Sequence, residues 1–226
     1  MKSTQKTKRA PWSKRRKLVT VLLGILAVLL VWIIGSVLYQ VIVNGEYYEM
    51  RYGTQVRTQE RHFEYSEPNF AENIFEDAVY MRKNRDIKYI YGAQSTEISL
   101  DEDASYYGDR FVFFQNYFNA IVNGDYVNYP SFFFPEYAKD KNNLPLPEEP
   151  FTMQKVYNIT LDFRSGYTEK VSDTEYKYYY VVKYSLLENN GTFRPDLEPE
   201  TTVALLFELT EKGDDLGITK ILHYIE

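Results

Sequence analysis

The 226-residue chain contains no cysteine. This absence excludes disulfide bonds, thiolate nucleophiles and zinc sites built on cysteine ligands. A domain without disulfides must be held together by its hydrophobic core. A section of roughly 180 residues can meet that demand, because it buries about 70% of its unfolded surface when it folds.

Acidic residues are absent from residues 1–17, which carry eight lysines and arginines. Subtracting these eight from the 26 basic residues leaves 18 against 32 acidic ones, a net charge of -14 for the remainder. Such a surface does not bind nucleic acid by neutralising phosphates, so no nucleic-acid partner is expected.

Residues 18–43 lack any side chain that is charged at neutral pH. As a helix, about 26 residues span roughly 39 Å, more than the ~30 Å hydrocarbon core of a bilayer. The pattern predicts one transmembrane helix with the lipid bilayer as its partner, in preference to a cleaved signal or a buried soluble helix. The basic tail then lies in the cytoplasm and the C-terminal part outside it, at the plasma membrane. Residues 44–68 are read as a linker and 69–226 as an extracytoplasmic domain.

The first half of that domain shows helical spacing. Apolar residues at a period of 3.6 predict one helix over 70–81 and another over 111–122. Asn123 and Gly124 are residues on which helices end. A second short helix is expected over 125–138, with Pro130 interrupting it.

After Pro150 the period of the apolar residues changes to two, which is typical of strands with one solvated face. Strands are predicted at residues 157–163, 176–186, 201–210 and 218–225. Short connections favour an antiparallel meander. The expected fold class is therefore α+β: an N-terminal transmembrane helix, followed by a cone-like domain of two to three helices packed on a curved four-stranded antiparallel sheet.

The stretch FFQNYFNAIVNGDYVNYPSFF, residues 113–133, resembles the cone-shaped α+β domains of the nuclear transport factor two superfamily. In that superfamily a helix often ends in a small-residue turn followed by Asp-Tyr and a second short helix, here Gly124, Asp125 and Tyr126. The resemblance covers about residues 105–226. With a membrane anchor in front, the architecture is also similar to inner-membrane assembly factors of type IV secretion and conjugation machines, which are scaffolds. Fold analogy alone supplies no function.

Enzymes of this superfamily place an Asp, His or Tyr on a cavity wall, which makes those residue types the ones to check. Asp162 alternates with the apolar residues of its strand and is expected to face water. His223 lies in the last strand, where a register error of one residue decides between surface and interior, and His62 lies in the linker. General acid–base catalysis needs a second group within hydrogen-bond reach. None is identifiable, so no catalytic residue and no enzyme are expected.

Two further patterns are read as having no function. An acidic cluster lacks the glycine and spacing of a calcium loop, so it is read as solvated, and no metal or cofactor is expected. Two matches to the glycan acceptor pattern are ascribed to chance. The residues are Asp101, Glu102, Asp103 and Asp109 in the cluster, and Asn158 and Asn190 in the acceptor pattern.

The chain has 22 tyrosines, many of them at alternating positions. Packing against the sheet explains those first, whereas Tyr179 has the opposite parity and is the candidate for a contact with a partner. The leading hypothesis is a non-catalytic protein-interaction or assembly module at the cell envelope, whose partner is an envelope protein or a second copy. The alternative is a receptor that holds a small molecule or cell-wall ligand in a cavity of the cone. An enzyme would need a buried carboxylate, or His223 turned inward beside a tyrosine.

Overall fold

The computed structural model describes residues 64–224 continuously, and eight separate positions between 23 and 35. The chain divides into two compact units, Met1–Met50 and Arg51–Glu226. In the first unit, the eight described positions are helical; they are Leu23, Gly24, Leu26, Leu29, Leu30, Trp32, Ile34 and Gly35.

The predicted transmembrane helix over residues 18–43 is corrected by the structure. Within the described positions, no helix has both the length and the apolar character needed to cross a bilayer. The single-pass plasma-membrane location deduced from that helix is corrected with it. Residues 1–17, which were predicted to be a cytoplasmic tail, and most positions of residues 18–43 lie outside the described residues.

Seven strands form one sheet in the order β2-β1-β3-β5-β6-β7, and β4 pairs with β5 outside this sequence. The pairings between these seven strands are antiparallel except that of β1 with β3, which is parallel. The mixed seven-stranded sheet corrects the expected four-stranded antiparallel one. The strands are β1 Ile87–Tyr91, β2 Gln94–Ile98, β3 Val156–Phe163, β4 Glu169–Lys170, β5 Glu175–Leu186, β6 Thr202–Lys212 and β7 Asp215–His223.

A single α-helix with defined bounds lies within residues 64–224: α1, Asp109–Val122. It follows the β1–β2 hairpin and crosses to β3, which explains why β1 and β3 run parallel. The predicted stop at Asn123 and Gly124 is confirmed, since Gly124 adopts a φ of +66°. A Cβ at Gly124 would lie 2.7 Å from the backbone nitrogen of Met153, so a side chain here meets both backbone strain and a clash.

The helices predicted over 70–81 and 125–138 are wrong, because the structure has only short 3-10 turns there. Side-chain oxygens explain part of this: Asn73 accepts from the N–H of Phe75, and Asp77 from the N–H of Val79. Such local bonds compete with a continuous helix. The turns of residues 64–224 are Ile74–Glu76, Tyr80–Arg82, Ser105–Tyr107, Tyr129–Phe132, Tyr137–Lys139 and Ser165–Tyr167.

The core lies between α1 and the face of the sheet that packs against it. It is built largely from aromatic rings. The Phe114 ring lies 4.8 Å from that of Tyr180 and 5.7 Å from that of Phe207. The Tyr117 ring lies 5.6 Å from that of Tyr129 and 5.7 Å from that of Phe207. Most of these pairs meet edge to face, the arrangement that aromatic quadrupoles prefer. The aromatic residues of 108–137 therefore serve mainly as packing.

Candidate functional site

The two edges of the sheet are treated differently by the rest of the chain. Along β7, the segment 133–144 supplies hydrogen bonds to the outer edge: Phe134 donates to the carbonyl of Ile218 over 3.0 Å, and Leu144 to that of Ile221 over 3.1 Å. The side chain of Asn143 accepts from the N–H of Ile221 over 3.0 Å. These bonds leave the β7 edge covered.

The opposite edge is β2. A two-residue turn with Gly92 at a φ of +60° joins β1 to β2, and Tyr91 pairs with Gln94. In such a hairpin Gln94, Thr96 and Ile98 exchange bonds with β1, whereas the backbone groups of Ser95 and Glu97 point outward. Within residues 64–224, these outward groups have no hydrogen-bond partner. Both residues are exposed, so β2 presents an open edge.

Exposed tyrosines lie beside this edge. The side chains of Tyr91, Tyr106 and Tyr107 are 54%, 92% and 37% exposed. The Tyr107 ring contacts Tyr106 at 5.5 Å and Phe111 of α1 at 5.4 Å, so the turn that carries both tyrosines is packed against the helix. We call Tyr91, Gln94, Ser95, Glu97, Tyr106 and Tyr107 the β2 surface.

Ring contacts connect these tyrosines to the first two strands. Phe111, which contacts Tyr107, also lies 5.2 Å from the ring of Tyr89 in β1. Tyr89 is opposite Thr96 of β2 in the strand register. The turn that carries Tyr106 and Tyr107 is thereby linked, ring by ring, to the hairpin that contains the open edge.

Arg110 contacts the aromatic rings next to Tyr91. Its guanidinium lies 4.0 Å from the ring centre of Tyr178 and 5.2 Å from that of Phe163. Tyr91 stacks on Phe163 at 5.6 Å. Cation–π attraction strengthens when the cation is shielded from water. Arg110 therefore stabilises the ring of Phe163, on which the exposed Tyr91 stacks.

The loop before Tyr106 is fixed by α1. The side-chain amide of Gln115, which the sequence pattern placed on the polar side of the helix, is buried and donates to the carbonyls of Ser99, Leu100 and Glu102. Asn119 also donates to Leu100. These bonds fix the backbone of residues 99–102, which precede the turn that carries Tyr106 and Tyr107.

The four acidic residues of the predicted solvated loop are exposed, as expected. A hydrogen bond from the backbone N–H of Ser105 lowers the pKa of Asp103. In the described part of the chain, no group of three or more acidic or histidine residues is arranged to hold a metal ion.

His223 has an acidic neighbour that sequence reasoning missed. Its Nε2 lies 3.6 Å from Oδ2 of Asp196, which is 27 residues away in the chain and comes from the loop between β5 and β6. Asp196 accepts two hydrogen bonds from Arg194, at 2.7 and 2.6 Å. Arg194 is buried and also donates to the hydroxyl of Tyr184 over 3.3 Å.

The electrostatics of this cluster favour a neutral histidine beside an ionised aspartate. Burial lowers the pKa of His223, and Arg194 lowers it further, while Asp196 opposes both. Burial alone would raise the pKa of Asp196, but the hydrogen bonds and charge of Arg194 bring it below its ordinary value. Arg194 already binds both carboxylate oxygens, so the geometry is that of an ion pair between a buried arginine and a partly exposed aspartate, with His223 beside the aspartate.

Glu208 is the buried carboxylate that sequence reasoning did not find. It lies on the sheet face opposite α1, opposite Tyr179 in the strand register. Thr219 donates to it over 2.7 Å and Tyr179 over 3.0 Å, and Lys177 forms an ion pair at 3.1 Å. Burial raises the pKa of Glu208, yet Thr219 and Lys177 outweigh this, and the net shift is downward. Tyr179, the predicted partner contact, uses its hydroxyl within the domain.

The remaining singled-out residues are dispersed. Asp162 is half-buried and forms an ion pair with Arg164 at 2.9 Å, so it is less exposed than expected. Asn158 is exposed in β3 with a φ of +55°, and Asn190 donates to Thr152 over 2.6 Å. His62 lies outside the described residues.

Lys155 joins the first turns of the domain to the sheet. This buried side chain reaches three carboxylates, those of Glu72, Asp77 and Glu188, at 2.9, 3.0 and 2.8 Å. Burial would lower the pKa of Lys155, but the three acidic partners raise it, so the ammonium stays charged. These ion pairs fasten the first turns of the domain to the sheet. Because the amine stays protonated, it is not available as a nucleophile.

Lys155→Met is expected to loosen residues 72–82, because three carboxylates lose their shared counter-ion. We expect a loss of about 1–2 kcal/mol in the free energy of unfolding, which lowers the melting temperature by roughly 2–8 °C. Hydrogen–deuterium exchange should accelerate in that segment above all. Lys139→Met removes an exposed lysine and serves as the matched control. Equal exchange rates in the two variants would contradict the fastening role.

Comparison with known protein families, with curated proteins and with solved structures finds no match to this chain. The resemblance to the nuclear transport factor two superfamily therefore stays a prediction.

Proposed function

We propose that this α+β domain is a non-catalytic protein-interaction module that binds its partner through the β2 surface. The observation that carries the proposal is the difference between the two sheet edges: the chain covers the β7 edge with residues 133–144 and leaves the outward groups of β2 without partners within residues 64–224. An open edge is a template for an added strand. Natural proteins usually cover or block an exposed sheet edge, unless the edge strand is short or pairs with a partner.

The chemistry beside the edge supports the same function. Tyrosine supplies large apolar area, a hydroxyl and little side-chain entropy to lose, and it is enriched at the centres of protein interfaces. Tyr106 exposes nearly its whole side chain on a turn that α1 holds in place. A fixed aromatic next to unpaired backbone groups offers both side-chain anchoring and strand addition.

The alternatives of a ligand cavity and of an enzyme receive less support. The inner face of the domain is occupied by rings within 4.8 to 5.7 Å of one another around Phe114 and Tyr117. Asp196 is committed to Arg194, and Glu208 to Thr219 and Lys177. A general acid or base needs a free proton-transfer position near substrate. The contacts of Asp196 and Glu208 therefore favour the non-catalytic proposal.

A photocrosslinking amino acid tests this function directly. Benzoylphenylalanine is introduced in place of Tyr106 in the full chain, and in place of Val171 as a matched exposed control. We expect covalent protein adducts at position 106 only, because of the two positions only 106 belongs to the β2 surface. The crosslinked protein is identified by mass spectrometry and purified.

Binding of that purified protein is then measured with Tyr106→Ala and Tyr91→Ala. Since removing an interface tyrosine often costs more than 1 kcal/mol, we expect each variant to weaken binding by about tenfold. Adducts confined to position 171, or unchanged binding by both alanine variants, would rule out the β2 surface as the contact.

A further inference from the structure

We infer that the partner fitting the open β2 edge is a second copy of this chain, paired antiparallel with the first about a two-fold axis at Thr96. This inference rests on the proposed use of the β2 surface and specifies its occupant. The pairing would join the two sheets into one continuous sheet. It follows from the positions of the outward backbone groups and from the charge of Glu97.

The outward groups permit only a few two-fold registers. In an antiparallel pair, residues whose N–H and C=O groups both point toward the neighbour must be opposite each other. Here those residues are Ser95 and Glu97, since the alternating residues bond to β1. Two copies can therefore align Ser95 with Ser95, Ser95 with Glu97, or Glu97 with Glu97.

Charge and bond number select among the three registers. Aligning Glu97 with Glu97 places like charges directly opposite each other, which is destabilising. Aligning Ser95 with Ser95 leaves Glu97 opposite the turn at residues 92–93 and forms one bonded residue pair. Aligning Ser95 with Glu97 forms two such pairs, with four backbone hydrogen bonds, and opposes each carboxylate to a hydroxyl. The last register is therefore favoured.

The side chains are compatible with this register. Thr96 would face Thr96 of the second copy across the axis, and threonine pairs are favourable cross-strand neighbours. Glu97 also keeps Lys88, its opposite residue in β1, as a cation on the same sheet face. The strand QSTEI contains no proline and no inward-pointing charge that would block pairing.

A cysteine on the axis tests the geometry in a chain that has no other cysteine. In the proposed pair, the two residues at position 96 form a non-hydrogen-bonded pair with Cα atoms about 4.5 Å apart, a separation that a disulfide can bridge. Thr96→Cys in the full chain is therefore expected to give a covalent dimer under mild oxidation. Gln94→Cys is the matched control on the same strand, because two residues at position 94 would lie about 14 Å apart along the strands, too far for a disulfide.

Charge variants at position 95 test the register in solution without a covalent bond. In the favoured register, position 95 faces Glu97 of the second copy twice per dimer. Ser95→Glu should weaken the dimer by about three- to tenfold, Ser95→Lys should tighten it by a similar factor, and adding Glu97→Lys to Ser95→Glu should restore it. Sedimentation equilibrium of the full-length variants over a concentration series measures these constants.

The outcomes separate self-pairing from the general proposal. Disulfide formation at position 96 and not at 94, together with the opposite effects of the two position-95 charges, supports the two-fold pair. Equal crosslinking at both positions, a monomer at every concentration, or no difference between Ser95→Glu and Ser95→Lys overturns it. In those cases, adducts at position 106 with a different protein would still support the β2 surface, whereas no adduct at position 106 would remove both proposals.

Discussion

Replacing Phe114 with alanine is expected to lower the free energy of unfolding by about 3–5 kcal/mol. The side chain is fully buried, and its ring contacts those of Tyr180 and Phe207 from α1 to the sheet. Removing it takes away apolar area and leaves a cavity that surrounding rings can fill only in part. Chemical denaturation of the full chain, monitored by far-ultraviolet circular dichroism, measures the change in the free energy of unfolding.

Tyr106→Ala is the matched control for this prediction, because it also removes an aromatic ring, but from a side chain that is 92% exposed. A surface change of this kind usually stays within about 0.5 kcal/mol. If Phe114→Ala cost less than about 1 kcal/mol, the interior next to α1 would not be close-packed. The ligand-cavity alternative would then gain over the protein-interaction proposal.

Sequence patterns predicted those elements whose periodicity is set by one large buried face. β3 alternates between buried and more exposed positions over its eight residues, and α1 presents a broad aromatic arc to the same core. The apolar residues of β5 and β6 also alternate in the sequence, although the structure buries consecutive residues in both strands. Burial of that face decides the local structure, so alternation alone is enough to find it. The stop at Gly124 was equally readable, because its left-handed backbone has a specific residue preference.

The β1–β2 hairpin was missed because it depends on tertiary context. β2 has the exposed sequence QSTE at the sheet edge and buries only Ile98 fully, so a polar strand there looks like a loop. The parallel pairing of β1 with β3 joins residues about 70 positions apart, and no local pattern encodes such a pairing. The two wrong helices failed differently, since Asn73 and Asp77 in the first segment and Asp125 in the second accept hydrogen bonds from nearby backbone N–H groups, which compete with a continuous helix.

The polar clusters were beyond sequence reasoning for a related reason. Alternation placed Glu208 on the face away from the core, yet Tyr179 and Lys177 of β5 and Thr219 of β7 contact its carboxylate there. The partner of His223, Asp196, comes from a loop with no periodicity at all. The periods of helices and strands predict which residues share a face of one element. They do not predict which residues of separate elements lie close together. The transmembrane prediction used the length and hydropathy of residues 18–43 and the basic residues before them, and it is corrected because no helix within the described positions is long and apolar enough to cross a bilayer.

Replacing Arg194 with methionine is expected to lower the free energy of unfolding by about 2–3 kcal/mol at neutral pH. Breaking a buried ion pair costs about 3–5 kcal/mol, and the 38% exposure of the Asp196 side chain reduces that cost. The change leaves Asp196 without its two hydrogen-bond donors and removes the donor to Tyr184. Lys170→Met is the matched control, since its ion pair with Asp173 is exposed and its loss should leave the free energy of unfolding nearly unchanged.

The pH dependence of the Arg194→Met effect distinguishes a lost ion pair from lost packing. The pKa of Asp196 in the folded protein lies below its ordinary value, so its contribution is complete above about pH 4 and is lost as pH falls through the folded pKa. The pKa of His223 is also lowered, so the wild-type protein already loses some stability as pH falls below about 6.5. Without Arg194, repulsion on His223 disappears while Asp196 remains, and a protonated His223 can take over part of the pairing. The stability difference between wild type and Arg194→Met should therefore be largest at pH 7 and above and should shrink steadily toward pH 3. A difference that stays constant over this range, measured by denaturation at each pH, would mean that Arg194 stabilises the loop through packing alone.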